Sequence, residues 1–91
     1  MSVEVRIPTI LRQYTGGAKA VESSGATLAD VIDDLEFRHP GLRDRLIEDT
    51  SLRRCVNVYV NDEDVRFLDG LNTPVADGDS ITVLPAVAGG A

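Results

Sequence analysis

Apolar and polar residues alternate from the start of the chain: Val3, Val5 and Ile7 are separated by Glu4 and Arg6. A period of two predicts a half-buried strand, which Pro8 closes or edges because it has no N–H for a ladder. Thr15-Gly16-Gly17-Ala18 reads as a turn, and Ala18 to Glu22 as the returning strand of a hairpin. The period then changes. Leu28, Val31, Ile32 and Leu35 make one apolar stripe at helical spacing, with Thr27 as N-cap and Asp30 near the positive helix end. Asp33, Asp34, Glu36 and Arg38 are its solvated side, and Pro40 ends the helix by disfavouring helical geometry at His39. Leu42 to Ile47 adds a short turn of helix, followed by a polar loop from Glu48 to Arg54. Val56, Val58 and Val60 alternate with Asn57 and Tyr59 in the strongest strand of the chain, expected to be central. Asn61 to Asp64 is an acidic turn, Val65-Arg66-Phe67 a short strand, and Ser80 to Leu84 the last strand, with Ile81 and Val83 on one face.

The order is strand, strand, helix, strand, short strand, strand. A single amphipathic helix must bury its stripe, and one face of the sheet is the only large apolar surface available. The expected class is α+β: a β-grasp, or ubiquitin-like, fold with a mixed sheet of four or five strands packed on one main helix. The first and last strands lie side by side in the middle. The domain covers residues 1–85, and residues 86–91 form a flexible C-terminal tail.

Ninety-one residues support one domain with a modest core. The net charge of −6 argues against nucleic acid and anionic membrane as partners and favours a basic protein. No apolar run approaches the ~20 residues of a membrane span. The single Cys55 cannot form an internal disulfide, and no signal peptide is read, so a reduced, cytoplasmic setting and a free monomer are expected.

Candidate chemistry within the domain is sparse. His39 precedes a proline at a helix end, which suits capping better than proton transfer. Cys55 has no neighbouring pattern that would lower its pKa. Asp62-Glu63-Asp64 lacks the glycine-punctuated spacing of a calcium loop, so no metal site is expected. Neither Gly16-Gly17 nor Gly89-Gly90 lies between strand and helix as a phosphate loop requires. No catalytic set emerges, and the expectation is a carrier or binding module, not an enzyme. The end of the chain is unlike the rest in its small residues: Leu84-Pro85-Ala86-Val87-Ala88-Gly89-Gly90-Ala91. Glycines without a Cβ enter slots closed to other residues. From Ala86 to Gly90 an extended chain reaches ~15–18 Å.

Residues Ala76 to Gly90, with an Asp-Gly-Asp turn, an apolar strand and a Gly-Gly end, resemble the ThiS/MoaD sulfur-carrier family. The stretches Ile7 to Arg12, Val56 to Arg66 and Gly70-Leu71 resemble its actinobacterial, cysteine-forming branch, so that the likeness spans nearly the whole chain. The resemblance implies that a ubiquitin-activating-type adenylyltransferase uses ATP to activate the terminal glycine, whose carboxylate then becomes a thiocarboxylate. No cofactor is bound by the carrier itself. The resemblance further implies a cysteine synthase as sulfide acceptor, acting on an activated serine such as O-phosphoserine, and a zinc-dependent JAMM-type metallopeptidase that frees the cysteine. Carried over residue by residue, Gly90 bears the sulfur, Gly89 gives slot access, and Ala86, Val87 and Ala88 form the reaching arm. Partner contact is expected around Leu84 of the last strand and Phe67. A secondary-metabolite pathway is another destination for the sulfur. A ubiquitin-like covalent modifier and a MoaD-like small subunit of molybdopterin synthase share the same fold and tail.

The family's mature end is the second glycine, whereas Ala91 follows Gly90 here. Peptidase removal of Ala91 is one explanation, with Gly90 and Ala91 flanking the processing site. An added residue and a tolerated alanine are the others.

Overall fold

The computed structural model describes residues 2–86. The expected positions Val87, Ala88, Gly89, Gly90 and Ala91 lie outside the described residues. The alternating start forms β1 (Val3–Arg6), paired antiparallel with β2 (Ala20–Ser23). Helix α1 (Leu28–Arg38) and the short α2 (Leu42–Leu46) follow, then a small hairpin, β3 (Ile47–Glu48) and β4 (Ser51–Leu52). Strands β5 (Val56–Val60), β6 (Glu63–Asp64) and β7 (Ser80–Pro85) complete a five-stranded sheet in the order β2-β1-β7-β5-β6. β1 and β7 are parallel neighbours, while β5 runs antiparallel to β7.

The core follows the two periods. Val3, Val5, Val56, Val58, Val60, Ile81 and Val83 face inward from the sheet, and Leu28, Val31, Ile32 and Leu35 from α1; all are buried. Thr27 caps α1 by accepting the Asp30 N–H at 3.3 Å. β7 holds the middle place beside β1, as expected, and β5 is interior too, paired with β7 along its length and with β6 at Tyr59 and Val60.

Other expectations are corrected. The returning strand spans Ala20–Ser23 rather than Ala18 to Glu22, since Ala18 still donates its N–H within the turn, to Thr15 O. Val65–Phe67 is a 3-10 turn, not a strand. Asp64 caps it by accepting the Arg66 N–H at 2.8 Å, which bends the backbone away from the sheet. The strand is the preceding pair Glu63–Asp64, joined to β5 by Asn61 and Asp62 at φ 50° and 72°. Such positive values at both central positions match the right-handed twist of a hairpin. The helical turn expected from Leu42 to Ile47 stops at Leu46, because Ile47 pairs with Leu52 in the β3–β4 hairpin, which runs on into the expected polar loop from Glu48 to Arg54. Thr9–Tyr14 forms a 3-10 turn after Pro8.

Two carboxylates assigned to the solvated side of α1 serve the fold instead. Glu36 accepts the backbone N–H groups of Gly41 and Arg43 at 3.1 and 3.0 Å, stitching α1 to α2. Burial pushes the Asp34 carboxyl upward, but hydrogen bonds from Ser23 Oγ and the Ser24 N–H, with the Arg38 charge, outweigh it and hold its pKa below the usual carboxylate value. A depressed folded-state pKa stabilises the protein above the unfolded carboxylate value of about 3.9, and that contribution is lost as pH falls through the folded value. Asp34→Asn is therefore expected to destabilise the protein at neutral pH and to narrow the gap with wild type in acid. Urea titrations at a series of pH values check this; a gap that stays constant with pH contradicts it.

Gly41 joins α1 to α2 at φ 102°, where a Cβ would also lie 2.9 Å from the Tyr14 ring. Gly41→Ala is expected to cost more than about 1 kcal/mol, read from the urea midpoint, because alanine is strained at this backbone angle. An unchanged midpoint would contradict it.

Candidate functional site

The direction of β7 gives the domain two distinct ends. Val60 lies opposite Ile81 and Val56 opposite Pro85, so Asn61 sits where β7 begins and Cys55 where it leaves the sheet. Pro85 extends the strand one residue beyond expectation, because a final strand position needs no N–H. The next N–H, from Ala86, donates to Cys55 O at 2.9 Å, so Ala86 is fastened at the root of the tail. Cys55 is exposed.

At the other end Asn61 and Asp79 lock the start of β7. Asn61 N–H donates to Ser80 O, Ser80 N–H to Asn61 Oδ1, and Asn61 Nδ2 to Asp79 Oδ1 at 2.9 Å. The Asn61 bond, helped by the Ala76 N–H and opposed by partial burial, holds the Asp79 pKa below its usual value. Ser2 N–H donates to Asp77 Oδ1 at 2.7 Å, fixing the start of β1 beside the turn that feeds β7.

The structure does not bring the two expected contact residues together. Leu84 is exposed on the outer sheet face at the tail root. Phe67 is 87% exposed and lines a groove with Asn61, Glu63 and Asp79 at the opposite end of β7. From Ser80 to Leu84 the strand covers ~13 Å. His39 ends α1 and donates its N–H to Leu35 O at 2.7 Å, a structural role. Among the described residues no His, Cys, Asp or Glu cluster could hold a metal, and no helix is long and apolar enough to cross a membrane.

Sequence reasoning missed the surroundings of the tail root. A groove of about 470 Å³ opens there, lined by Ile10, Tyr14, Arg45, Arg53, Pro85 and Ala86. Arg45 Nε donates to Tyr14 Oη at 2.7 Å, and Arg53 Nε to Asp44 O at 2.7 Å. A second groove, about 500 Å³, flanks Leu84 with Arg6, Arg12 and Lys19. The sequence signal was present only as isolated basic residues, spread from position 6 to position 53.

This arrangement, a mixed five-stranded sheet with parallel first and last strands wrapped on one main helix, is the ubiquitin-like β-grasp. The ThiS family model matches residues 5–90, and the chain belongs to that family. The chain is 60% identical to the sulfur carrier protein CysO of Mycobacterium tuberculosis, over 99% of this chain and 100% of that protein. It is 40% identical, over the same shares, to small archaeal modifier protein 3 of Haloferax volcanii. Among solved structures it superposes on a chain of the Amycolatopsis orientalis BexX/CysO complex with a TM-score of 0.92, at 59% identity and covering 94% of this chain and 97% of that one.

Proposed function

We propose that this chain is a sulfur-carrier protein that works through a thiocarboxylate at Gly90. The observation that carries the reading is the position of Gly89-Gly90. They follow Ala86, the last described residue after the middle strand, within a chain matched to the ThiS family through residue 90.

A carboxylate is a poor electrophile until it gains a leaving group. A Gly90 carboxylate oxygen attacks the α-phosphorus of ATP, pyrophosphate departs, and an acyl-adenylate forms. Hydrosulfide, the sulfur source, then attacks the glycine carbonyl and displaces AMP, and loss of its remaining proton leaves the thiocarboxylate. ATP and the reacting groups belong to a ubiquitin-activating-type adenylyltransferase. The carrier supplies a terminus narrow enough for that site. Small residues at Ala86, Val87, Ala88 and Gly89 suit passage into a slot, while the folded body supplies affinity. The proposed destination is cysteine formation by a cysteine synthase, with a JAMM-type metallopeptidase releasing the product. A relative that is 60% identical over 99% of this chain is itself named a sulfur carrier.

Incubation of a Gly90-ended chain with its adenylyltransferase, ATP and a sulfur source is expected to exchange one oxygen for sulfur in the intact mass. No exchange with a competent enzyme would overturn the reading. The 40% identity to an archaeal modifier protein favours a second reading, covalent attachment to lysines of other proteins. A tagged copy expressed in cells separates them. A ladder of isopeptide adducts supports the modifier, and free carrier with none supports sulfur transfer.

A further inference from the structure

The net charge of −6 points to a basic partner, but the charge is distributed so that the tail root is the opposite of the whole. The two grooves that flank Leu84, Pro85 and Ala86 are lined by five cationic residues, Arg6, Arg12, Lys19, Arg45 and Arg53, and by one carboxylate, Glu4. Glu4 is held by Arg6 at 3.4 Å, so the remaining four cations have no acid within the lining of either groove. Arg45 and Arg53 each commit Nε to an uncharged oxygen, Tyr14 Oη and Asp44 O, which orients the guanidinium without neutralising it. The groove at the other end of β7 has the reverse character. Glu63, Asp69 and Asp79 line it, with no basic residue.

An apolar strip runs through the basic ring. Ile10 is 63% exposed and Leu84 44%, both beside the point where the chain leaves the sheet. Apolar contact area within a charged rim is the make-up of a protein–protein interface. Charges in the rim act over roughly a Debye length, about 8 Å at physiological salt, and so govern encounter and orientation.

We propose that the basic ring at the tail root docks on an acidic rim around the active-site entrance of the adenylyltransferase, with Ile10 and Leu84 on an apolar patch inside that rim. The proposal rests on the sulfur-carrier reading for the identity of the partner. Its physical content is that the domain's charge asymmetry turns the tail toward the entrance and the acidic end away from it. A carrier arriving with the acidic end first meets like charge, which lowers the share of unproductive encounters.

The test is a binding titration of the full chain against purified ubiquitin-activating-type adenylyltransferase from the same organism, without ATP, across a range of salt concentrations. The double charge reversal Arg45→Glu with Arg53→Glu is expected to weaken binding by roughly 10-fold or more at low salt and to flatten the salt dependence. Arg45→Lys with Arg53→Lys keeps the charges and is expected to bind within a few-fold of wild type. Glu4→Gln removes the one carboxylate of the ring and is expected to tighten binding, which keeps the proposal falsifiable if the reversal does not fold. A folded reversal that binds like wild type with the same salt dependence, or, where the reversal does not fold, a Glu4→Gln variant that does so, would overturn the docking surface. A parallel thiocarboxylation assay separates the two ideas. Salt-dependent binding without sulfur exchange overturns the carrier reading and supports the surface; sulfur exchange with salt-independent binding does the reverse.

Discussion

A chain ending at Gly90 is expected to be converted to the thiocarboxylate, while the chain ending at Ala91 is expected to react at least about 100-fold more slowly. Two effects add. First, the free carboxylate of the longer chain belongs to Ala91, whose Cβ must enter a slot proposed to admit a glycine. Second, each extra residue advances the chain by about 3.3–3.6 Å, so the reacting carbonyl is displaced when the body is docked in the same place. A misplacement of even about 1 Å costs on the order of 100-fold in rate. The two chains differ only in one small residue beyond Gly90, so the comparison isolates the terminus. Intact-mass time courses with the same adenylyltransferase, ATP and sulfur source measure it. Equal rates for the two chains, with Ala91 still present on the product, would remove the requirement for a terminal glycine. Conversion of the longer chain only after loss of Ala91 would identify a trimming step as part of maturation.

The features legible in the sequence are those that local chemistry determines. Leu28, Val31, Ile32 and Leu35 announce a helix by spacing alone, and all four are buried. Thr27 announces its cap, and the alternation of Val3 and Val5, Val56 to Val60, and Ile81 and Val83 announces three strands with their inward faces. The features that were not legible depend on distant partners. Val65-Arg66-Phe67 looks like a strand, but Asp64 caps a 3-10 turn there through a backbone bond no periodicity reports. The β3–β4 hairpin has only two residues per strand, too few to show a period. Asp34 looks solvated until β2 brings Ser23 Oγ within 2.8 Å of it. The basic ring was hidden for the same reason. Arg6 and Arg53 stand far apart in the chain, and a net charge of −6 averages over the fold that gathers them. The Gly-Gly end is legible from sequence order and family likeness, and it lies outside the described residues.

Ile81→Ala is expected to destabilise the domain more than either Asp34→Asn or Gly41→Ala, by about 2–5 kcal/mol. Ile81 occupies the middle strand, opposite Val5 of the parallel neighbour β1 and Val60 of the antiparallel neighbour β5, and is 1% exposed. Its side chain belongs to the same buried cluster as Leu28, Ile32 and Leu35 of α1, so truncation removes contacts to both layers at once. Neighbours on a hydrogen-bonded sheet cannot collapse freely into the space left, and an unfilled cavity adds to the lost transfer free energy. A domain of this size has a total stability of only roughly 5–10 kcal/mol, so the change consumes a large share of it. The thermal midpoint is expected to fall by at least about 10 °C, while Ile81→Val costs about 0.5–1.5 kcal/mol. Urea and thermal unfolding of the three chains measure both values; a loss below about 1 kcal/mol for Ile81→Ala would show that the sheet relaxes around the truncation. The same variant separates stability from chemistry. Assayed at a temperature where it remains folded, a Gly90-ended Ile81→Ala chain is expected to accept sulfur at the wild-type rate, because Ile81 is buried beneath the sheet while the reaction is proposed at the terminus. A rate that falls while the protein stays folded would instead couple the core of β7 to the tail it delivers.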